Sequence, residues 1–492
     1  MKRTLFRAAV SAGVFTVLLA APVFSQTTFR KYVALGDSLT AGVSGNCLVT
    51  RHQQRSYPKL VADALGITDF QLPLVSERTV SSPPGMVCLG AVVAGGTITV
   101  GAVSQQGVPT NATLARPYDN LGIGAANVAH IVDLRVANPA GDLANRFAAL
   151  VLRNFTGGPF EGRNAVEEAN LLSPDLVTVW VGPNDIGGGA LSGTAIDGVT
   201  VTSASVFETK YSQILSGLRA TGRTLVVLNV PDLAAVPFAT TIPRVVVNPA
   251  TRQPVLVGGN PVPLLGPRTT STCSTPPCPL PEGTLVTLGA SALLAQGIGI
   301  PASLGGTGLP LPDGSFTPPA TLSAGVILYP DEVALIRQRT TEINARIAAV
   351  ATARGATVLD THAIFDHIVE NNHGYEVGGG IVVTASFLTG GFFSADGFHP
   401  TNIGYAIVAK EVVQHINDTK GTEFELPDLA HTVFEPDVPV ITATGVVDPA
   451  AGPFGFSLSM WKDVVRTAAA IPDGIEIVFP AVSKRVTRLI QR

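Results

Sequence analysis

The sequence predicts an α/β protein built on a doubly wound, mainly parallel sheet. Three features of the chain point there. Short apolar runs stop abruptly at glycine or proline: Tyr32 to Leu35 before Gly36, Asp175 to Val181 before Gly182-Pro183, and Thr224 to Asn229 ahead of Pro231. Runs of this kind suit strands buried on both faces. A long helical segment, residues 331 to 353, places Val333, Ile336, Thr340, Ile343, Ile347 and Val350 on one face. Strand then alternates with helix along the chain, the pattern of a parallel sheet with crossover helices.

Composition narrows the class of function. The chain has 492 residues, of which 14% are charged, with Gly 51 and Pro 37. Roughly a quarter charged is usual, so this is a compact apolar core with loop-rich insertions rather than a disordered chain. A net charge of -4 and the lack of any basic cluster in the core give no sign of nucleic-acid binding. At the N-terminus Lys2, Arg3 and Arg7 precede an uncharged apolar run from Ala8 to Ala21, followed by Pro22-Val23-Phe24-Ser25. This reads as an export signal over residues 1–25, with a mature chain beginning near Gln26 in a secreted or periplasmic protein. The run falls short of the roughly 18 residues a membrane span needs, so no transmembrane segment is expected in the mature chain. Export permits disulfides. Cys273 and Cys278 enclose Ser-Thr-Pro-Pro, and Cys47 and Cys88 then pair by elimination, although four cysteines allow three connectivities. No histidine shares their spacing, which argues against a metal site.

Taken in order, the first strand carries Gly36-Asp37-Ser38-Leu39, and Gly36 permits a sharp turn. Residues 43 to 115 wander through Gly, Ser, Pro and Thr with little periodicity and read as an insertion. Asp119 to Ala126 reads as a strand end and turn, leading into a helix through His130. A second, nearly uncharged interruption spans 237 to 329. Loops so long are either functional lids or insertions packed on the surface. Ala356 to Leu359 is a further strand, and Asn402 is placed to cap a last helix bearing Tyr405, Val408, Val412 and Ile416. The core is thus expected over 26–420, with 421–492 an extension of unknown role ending in Lys484, Arg485, Arg488 and Arg492.

The chemistry-bearing residues fall at the ends of these elements. Ser38 follows a strand end, where open α/β sheets bind ligands. A serine hydroxyl is a weak nucleophile until a base takes its proton. Ser394-Ala395-Asp396-Gly397-Phe398-His399 offers one: an acid three residues before a histidine can reach round to its far ring nitrogen and fix the tautomer. His362, His367 and His373 are alternatives by chemistry alone. Asp37 and Asp185 read as residues that bond turn backbone.

Gly36-Asp37-Ser38-Leu39, Gly182-Pro183-Asn184-Asp185 and Asp396-Gly397-Phe398-His399 resemble, in order, blocks of the GDSL or SGNH serine hydrolases. No G-x-S-x-G elbow occurs, so the α/β-hydrolase reading finds no support. The resemblance implies a three-layer, flavodoxin-like fold and a carboxylic ester hydrolase needing no cofactor. It gives Ser38 as nucleophile, His399 as general base and acid, and Asp396 as its orienter. The implied oxyanion donors are the Ser38 N–H, the Asn184 side-chain amide and a third N–H from Gly124 or Ala125. There the sequence departs from the family, which shows glycine about five residues after an asparagine such as Asn120. An alanine donor is compatible if its φ stays negative. The implied substrate is a small-molecule or lipid ester. A carbohydrate O-deacetylase of the same fold is the alternative, disfavoured by 6% aromatics and two Trp. A non-catalytic binding protein would be expected to lack Ser38 or His399, and both are present.

Overall fold

A computed structural model describes residues 28–79, 86–94, 97–248, 251, 253–317, 321–369, 373–378, 380–432 and 476–478. The expected export signal and the basic C-terminal end lie outside the described residues. The apolar runs form the central sheet. Strands β1 (Tyr32–Gly36), β2 (Asn120–Gly122), β3 (Leu176–Trp180), β4 (Thr224–Leu228) and β5 (Thr357–Leu359) are all parallel, in the order β5-β4-β3-β1-β2. Every residue of β1, β3 and β4 is buried. Since alternate residues of a strand face opposite ways, both faces of the sheet are covered. The order 2-1-3-4-5 is the flavodoxin-like one, and chain direction across the sheet reverses between β1 and β3. Folds of this order hold ligands at that switch point.

Two groups of helices cover the sheet. In one, α2 (Tyr57–Ala64) packs with the last long helix. In the other are α3 (Val128–Asp133), α4 (Ala165–Leu171), α5 (Pro183–Ser192), α6 (Ala204–Leu218) and α7 (Pro330–Arg354). There α6 packs on α3, α4 and α7. The six apolar-face residues expected of the 331–353 segment are all buried in α7. The last long helix, α8 (Asn402–Lys420), begins one residue differently from expectation. Thr401 is the cap, its hydroxyl accepting the Gly404 N–H at 3.1 Å, and Asn402 is the first helical residue.

Residues 43 to 115 are more regular than the sequence suggested. Besides α2 they form an antiparallel sheet of Val75–Arg78, Val87–Ala94 and Thr97–Pro109, with the last in the middle. Register shifts between Val75 and Glu77 and between Cys88 and Leu89 break the two-residue alternation that would have announced it. The 237–329 insertion is a series of short strands, single-turn helices and turns pinned by buried Phe238, Leu264, Leu280, Leu288 and Leu311. Arg268 ties it to α7, bonding Asp313 at 2.7 Å and Glu332 at 2.9 Å with the Tyr329 ring beneath it. From the extension, Glu476–Val478 pairs in parallel with Thr321–Ser323 of the insertion.

Gly36 closes β1 for a reason other than turn geometry. A Cβ there would lie 2.2 Å from both the Trp180 carbonyl oxygen and the Thr40 hydroxyl. The backbones of β1 and β3 thus approach as closely as they do because the residue has no side chain. Gly36→Ala is expected to lose about 1–3 kcal/mol of stability even after relaxation, since overpacking forces backbone shifts. Urea unfolding checks it; a variant within about 0.5 kcal/mol of the parent would mean that the strand ends move apart freely.

Candidate active site

The carboxyl ends of β1 and β3 assemble the site. Asp37 follows β1, its N–H held by the Trp180 carbonyl at 3.2 Å. Its Oδ1 accepts the Leu39 N–H at 2.9 Å, capping a single turn, α1 (Ser38–Ala41). Ser38 is thereby aimed from the first position of that turn. Its Oγ lies 2.9 Å from His399 Nε2, although the two residues are 361 apart in sequence. His399 Nδ1 lies 2.8 Å from Asp396 Oδ2. Asp396 and His399 share a tight loop closed by the Ser394 N–H to the His399 carbonyl at 2.8 Å and the Gly397 N–H to the Ser394 carbonyl at 2.9 Å. The serine, the histidine and the acid are brought together in the line the sequence suggested.

Asp396 is 1% exposed, and burial by itself pushes a carboxyl up. Its attraction to His399 and the donors around it outweigh burial and hold it below the ordinary carboxylate value. Oδ1 accepts the N–H groups of Phe398 at 2.9 Å and His399 at 2.8 Å, and the Ser394 hydroxyl at 3.0 Å. Oδ2 accepts the Asn46 N–H at 2.7 Å besides the histidine. An ionised acid beside Nδ1 keeps the ring proton there, leaving Nε2 free to accept from Ser38. Neither Asn46 nor Ser394 stood out in the sequence.

The second block arrives on α5. Asn184 follows Pro183 at the helix start and is 2% exposed. One of its two amide N–H groups donates to the Ala126 carbonyl at 3.0 Å, fastening it to the turn after β2. In that turn the Ile123 N–H goes to the Gly36 carbonyl at 2.9 Å and the Ala126 N–H to the Ile123 carbonyl at 3.1 Å. Among the described residues the Gly124 and Ala125 N–H groups have no protein acceptor. The condition set on alanine is not met: Ala125 sits at φ 63°, in the left-handed region. That costs an alanine about 1–2 kcal/mol, held by its buried neighbours.

The alternative histidines lie away from Ser38. His362 Nδ1 is 3.1 Å from the Val230 carbonyl and its Nε2 is 3.3 Å from Asp366, while His367 and His373 lie ring to ring at 5.7 Å. Buried His52, which the sequence did not single out, places Nδ1 3.0 Å from Asn402 Oδ1. Burial and the Arg51 charge push it down to about 4, so it is neutral. The cysteines pair as expected, Cys47 with Cys88 and Cys273 with Cys278. Among the described residues no group of three or more His, Cys, Asp or Glu is placed to hold a metal ion, and no helix is long and apolar enough to cross a membrane.

A family model described as GDSL-like Lipase/Acylhydrolase matches residues 32–412. The chain belongs to this family. It is therefore a GDSL-like hydrolase acting on ester bonds, carried on the SGNH-type α/β fold. Among solved structures it is similar to the lipase/acylhydrolase from Enterococcus faecalis, at 11% identity and a TM-score of 0.31, over 79% of this chain and 96% of that one. No curated protein matches.

Two further buried acids, Asp37 beside the GDSL serine and Asp185 beside Asn184, complete the electrostatics. Asp185 Oδ2 accepts the Val128 N–H at 3.1 Å, tying α5 to the start of α3. Burial pushes Asp185 up to about 7. It also pushes Asp37 up to about 8, the Leu39 N–H pulling back and the charge of Asp185 adding to the rise. Unfolded, Asp37 ionises near 3.8. Between those values the unfolded chain releases a proton that the native state keeps, so this group's contribution to stability falls as pH rises and levels off above about 8. Asp37→Asn keeps the oxygen that accepts from Leu39 and removes the titration. Its melting temperature relative to the parent is expected to improve from pH 5 to pH 9. An unchanged difference would mean that Asp37 is ionised throughout.

Proposed function

We propose that this GDSL-like hydrolase is an exported serine esterase or lipase that cleaves carboxylic esters through an acyl-serine intermediate. The supporting observation is the continuous line from Ser38 Oγ to His399 Nε2 at 2.9 Å and from His399 Nδ1 to Asp396 Oδ2 at 2.8 Å. In this mechanism Ser38 attacks the ester carbonyl as His399 takes its proton, and Asp396 steadies the imidazolium. The Ser38 N–H, the Asn184 amide and the N–H of Gly124 or Ala125 receive the developing oxyanion. His399 returns the proton to the departing alcohol, then activates a water that releases the acid. Each step uses protein groups and water.

Export is supported by the N-terminal charge and apolar pattern together with two disulfides. Residues 26–420 are read as the hydrolase domain and 421–492 as an extension. An acyl substrate is supported by the insertion, which leans on the histidine loop. There Phe238 donates its N–H to the Gly397 carbonyl at 2.9 Å, and Leu288 packs beside Gly397. An apolar insertion set against the catalytic loop suits a fatty acyl chain better than a sugar.

Single-turnover kinetics on nitrophenyl esters, with acetylated sugars in parallel, tests both parts. Ser38→Ala and His399→Ala should each cost on the order of 10⁴-fold or more, and the double variant little beyond either. Asn184→Ala should cost roughly 10²–10³-fold in the chemical step with little change in KM. Near-normal rates in His399→Ala would place the base elsewhere, and faster turnover of acetylated sugars would favour a deacetylase.

A further inference from the structure

We infer that the turn Ser44-Gly45-Asn46-Cys47, pinned by the Cys47–Cys88 disulfide, is a positioning device for Asp396, working through the Asn46 N–H and the Ser394 hydroxyl. This inference rests on reading Ser38, His399 and Asp396 as one catalytic unit.

The turn is built for rigidity. Ser44 and Cys47 exchange two N–H to carbonyl bonds, each at 3.1 Å, so that Gly45 and Asn46 are the two central residues of a hairpin turn. Both have positive φ, 56° and 61°, as the type I′ turn requires. Asparagine tolerates that region well, whereas Gly45 is required twice over. A Cβ on Gly45 would fall 2.1 Å from the Leu89 carbonyl oxygen, and the Leu89 N–H donates to the Gly45 carbonyl at 2.7 Å. The turn is therefore laid flat on the strand Val87–Ala94 and bolted to it by the bond between Cys47 and Cys88, both nearly inaccessible. From behind, the Tyr405 hydroxyl of α8 holds the Val43 carbonyl at 2.6 Å.

Two consecutive N–H groups leave this turn toward the histidine loop. Asn46 donates at 2.7 Å to the same Asp396 oxygen that accepts from His399 Nδ1. Gly45 donates at 2.9 Å to the Ser394 hydroxyl, which itself donates at 3.0 Å to the other Asp396 oxygen. Both carboxylate oxygens are thus gripped by one turn some 350 residues away in sequence, directly at Oδ2 and through Ser394 at Oδ1. A donor on an ionised carboxylate fixes its plane and favours its charge. The plane decides whether the imidazole faces Ser38. Cys47 and Cys88 are thereby given a role in the chemistry that the other disulfide, within the 237–329 insertion, does not share.

The test compares Ser394→Ala and Cys47→Ser/Cys88→Ser with the parent on nitrophenyl butyrate between about pH 5 and 9, with Cys273→Ser/Cys278→Ser as the contrasting disulfide. A carboxylate held less firmly steadies the protonated imidazole less, so the acid limb of kcat/KM, where His399 must lose its proton to act as base, moves to lower pH. Ser394→Ala and the Cys47/Cys88 variant should show that shift together with roughly tenfold lower kcat and a KM within about twofold. The Cys273/Cys278 variant should leave the limb in place. A fall in kcat with the limb unmoved would mean mere structural support and would overturn the inference, as would unchanged kcat in both variants. If the Cys47/Cys88 variant does not fold, Ser394→Ala, which deletes one oxygen, decides alone. Fluorophosphonate labelling of the parent separates the two readings. Failure to label Ser38 would overturn the catalytic unit itself, whereas labelling with unaltered pH profiles would overturn only the positioning role.

Discussion

A carboxylate sealed from water stays charged when enough donors replace the water it lost. Asp396 has five: the histidine ring, three backbone N–H groups and one hydroxyl. The rest of the site depends on that charge. It sets which imidazole nitrogen carries the proton, and hence whether the other faces Ser38 ready to accept. Four of the five donors come from the loop's own short-range folding. The Asn46 N–H does not, and it brings a distant turn, a disulfide and an antiparallel sheet to bear on one oxygen.

The rest of the architecture serves the same end. Parallel strands β1 and β3 are neighbours in the sheet, so Ser38 and Asn184 both follow strand ends at its carboxyl edge, where the strand order switches. Gly36 allows the two strand ends to touch, and Asp37 then turns the chain so that Ser38 begins a helical turn. Asn184 is moored to the β2 turn through Ala126, so its free amide hydrogen has a defined direction before any substrate arrives. Such preorganisation is what an oxyanion site needs, since donors already in place pay no reorganisation cost when charge develops.

Much of this was legible in the sequence, for physical reasons. Buried parallel strands must be apolar throughout, so Tyr32 to Leu35 and Leu176 to Val181 announced themselves, and the polar residues just beyond marked the sheet's working edge. The three-residue spacing of Asp396 and His399 is a local constraint and could be read locally. The 43–115 region could not, because register shifts at Cys88 and near Ser76 erase the alternation. Asn46 was invisible because its contribution is a backbone N–H, which every residue but proline possesses. Ser394, two residues from Asp396, was within reach: a hydroxyl beside a buried acid is a common donor. The left-handed Ala125 ran against the sequence, which gives no sign that an alanine would be held at a glycine conformation.

The central claim is that ester cleavage passes through an acyl group on Ser38. Acid-quenching the enzyme within its first turnover of a nitrophenyl ester, then digesting it for mass spectrometry, tests this directly. The account predicts one acyl group per chain on the peptide that contains Ser38, absent from Ser38→Ala and accumulating in step with the nitrophenol burst. An acyl group on another residue, or a normal burst with Ser38 unmodified, would contradict it.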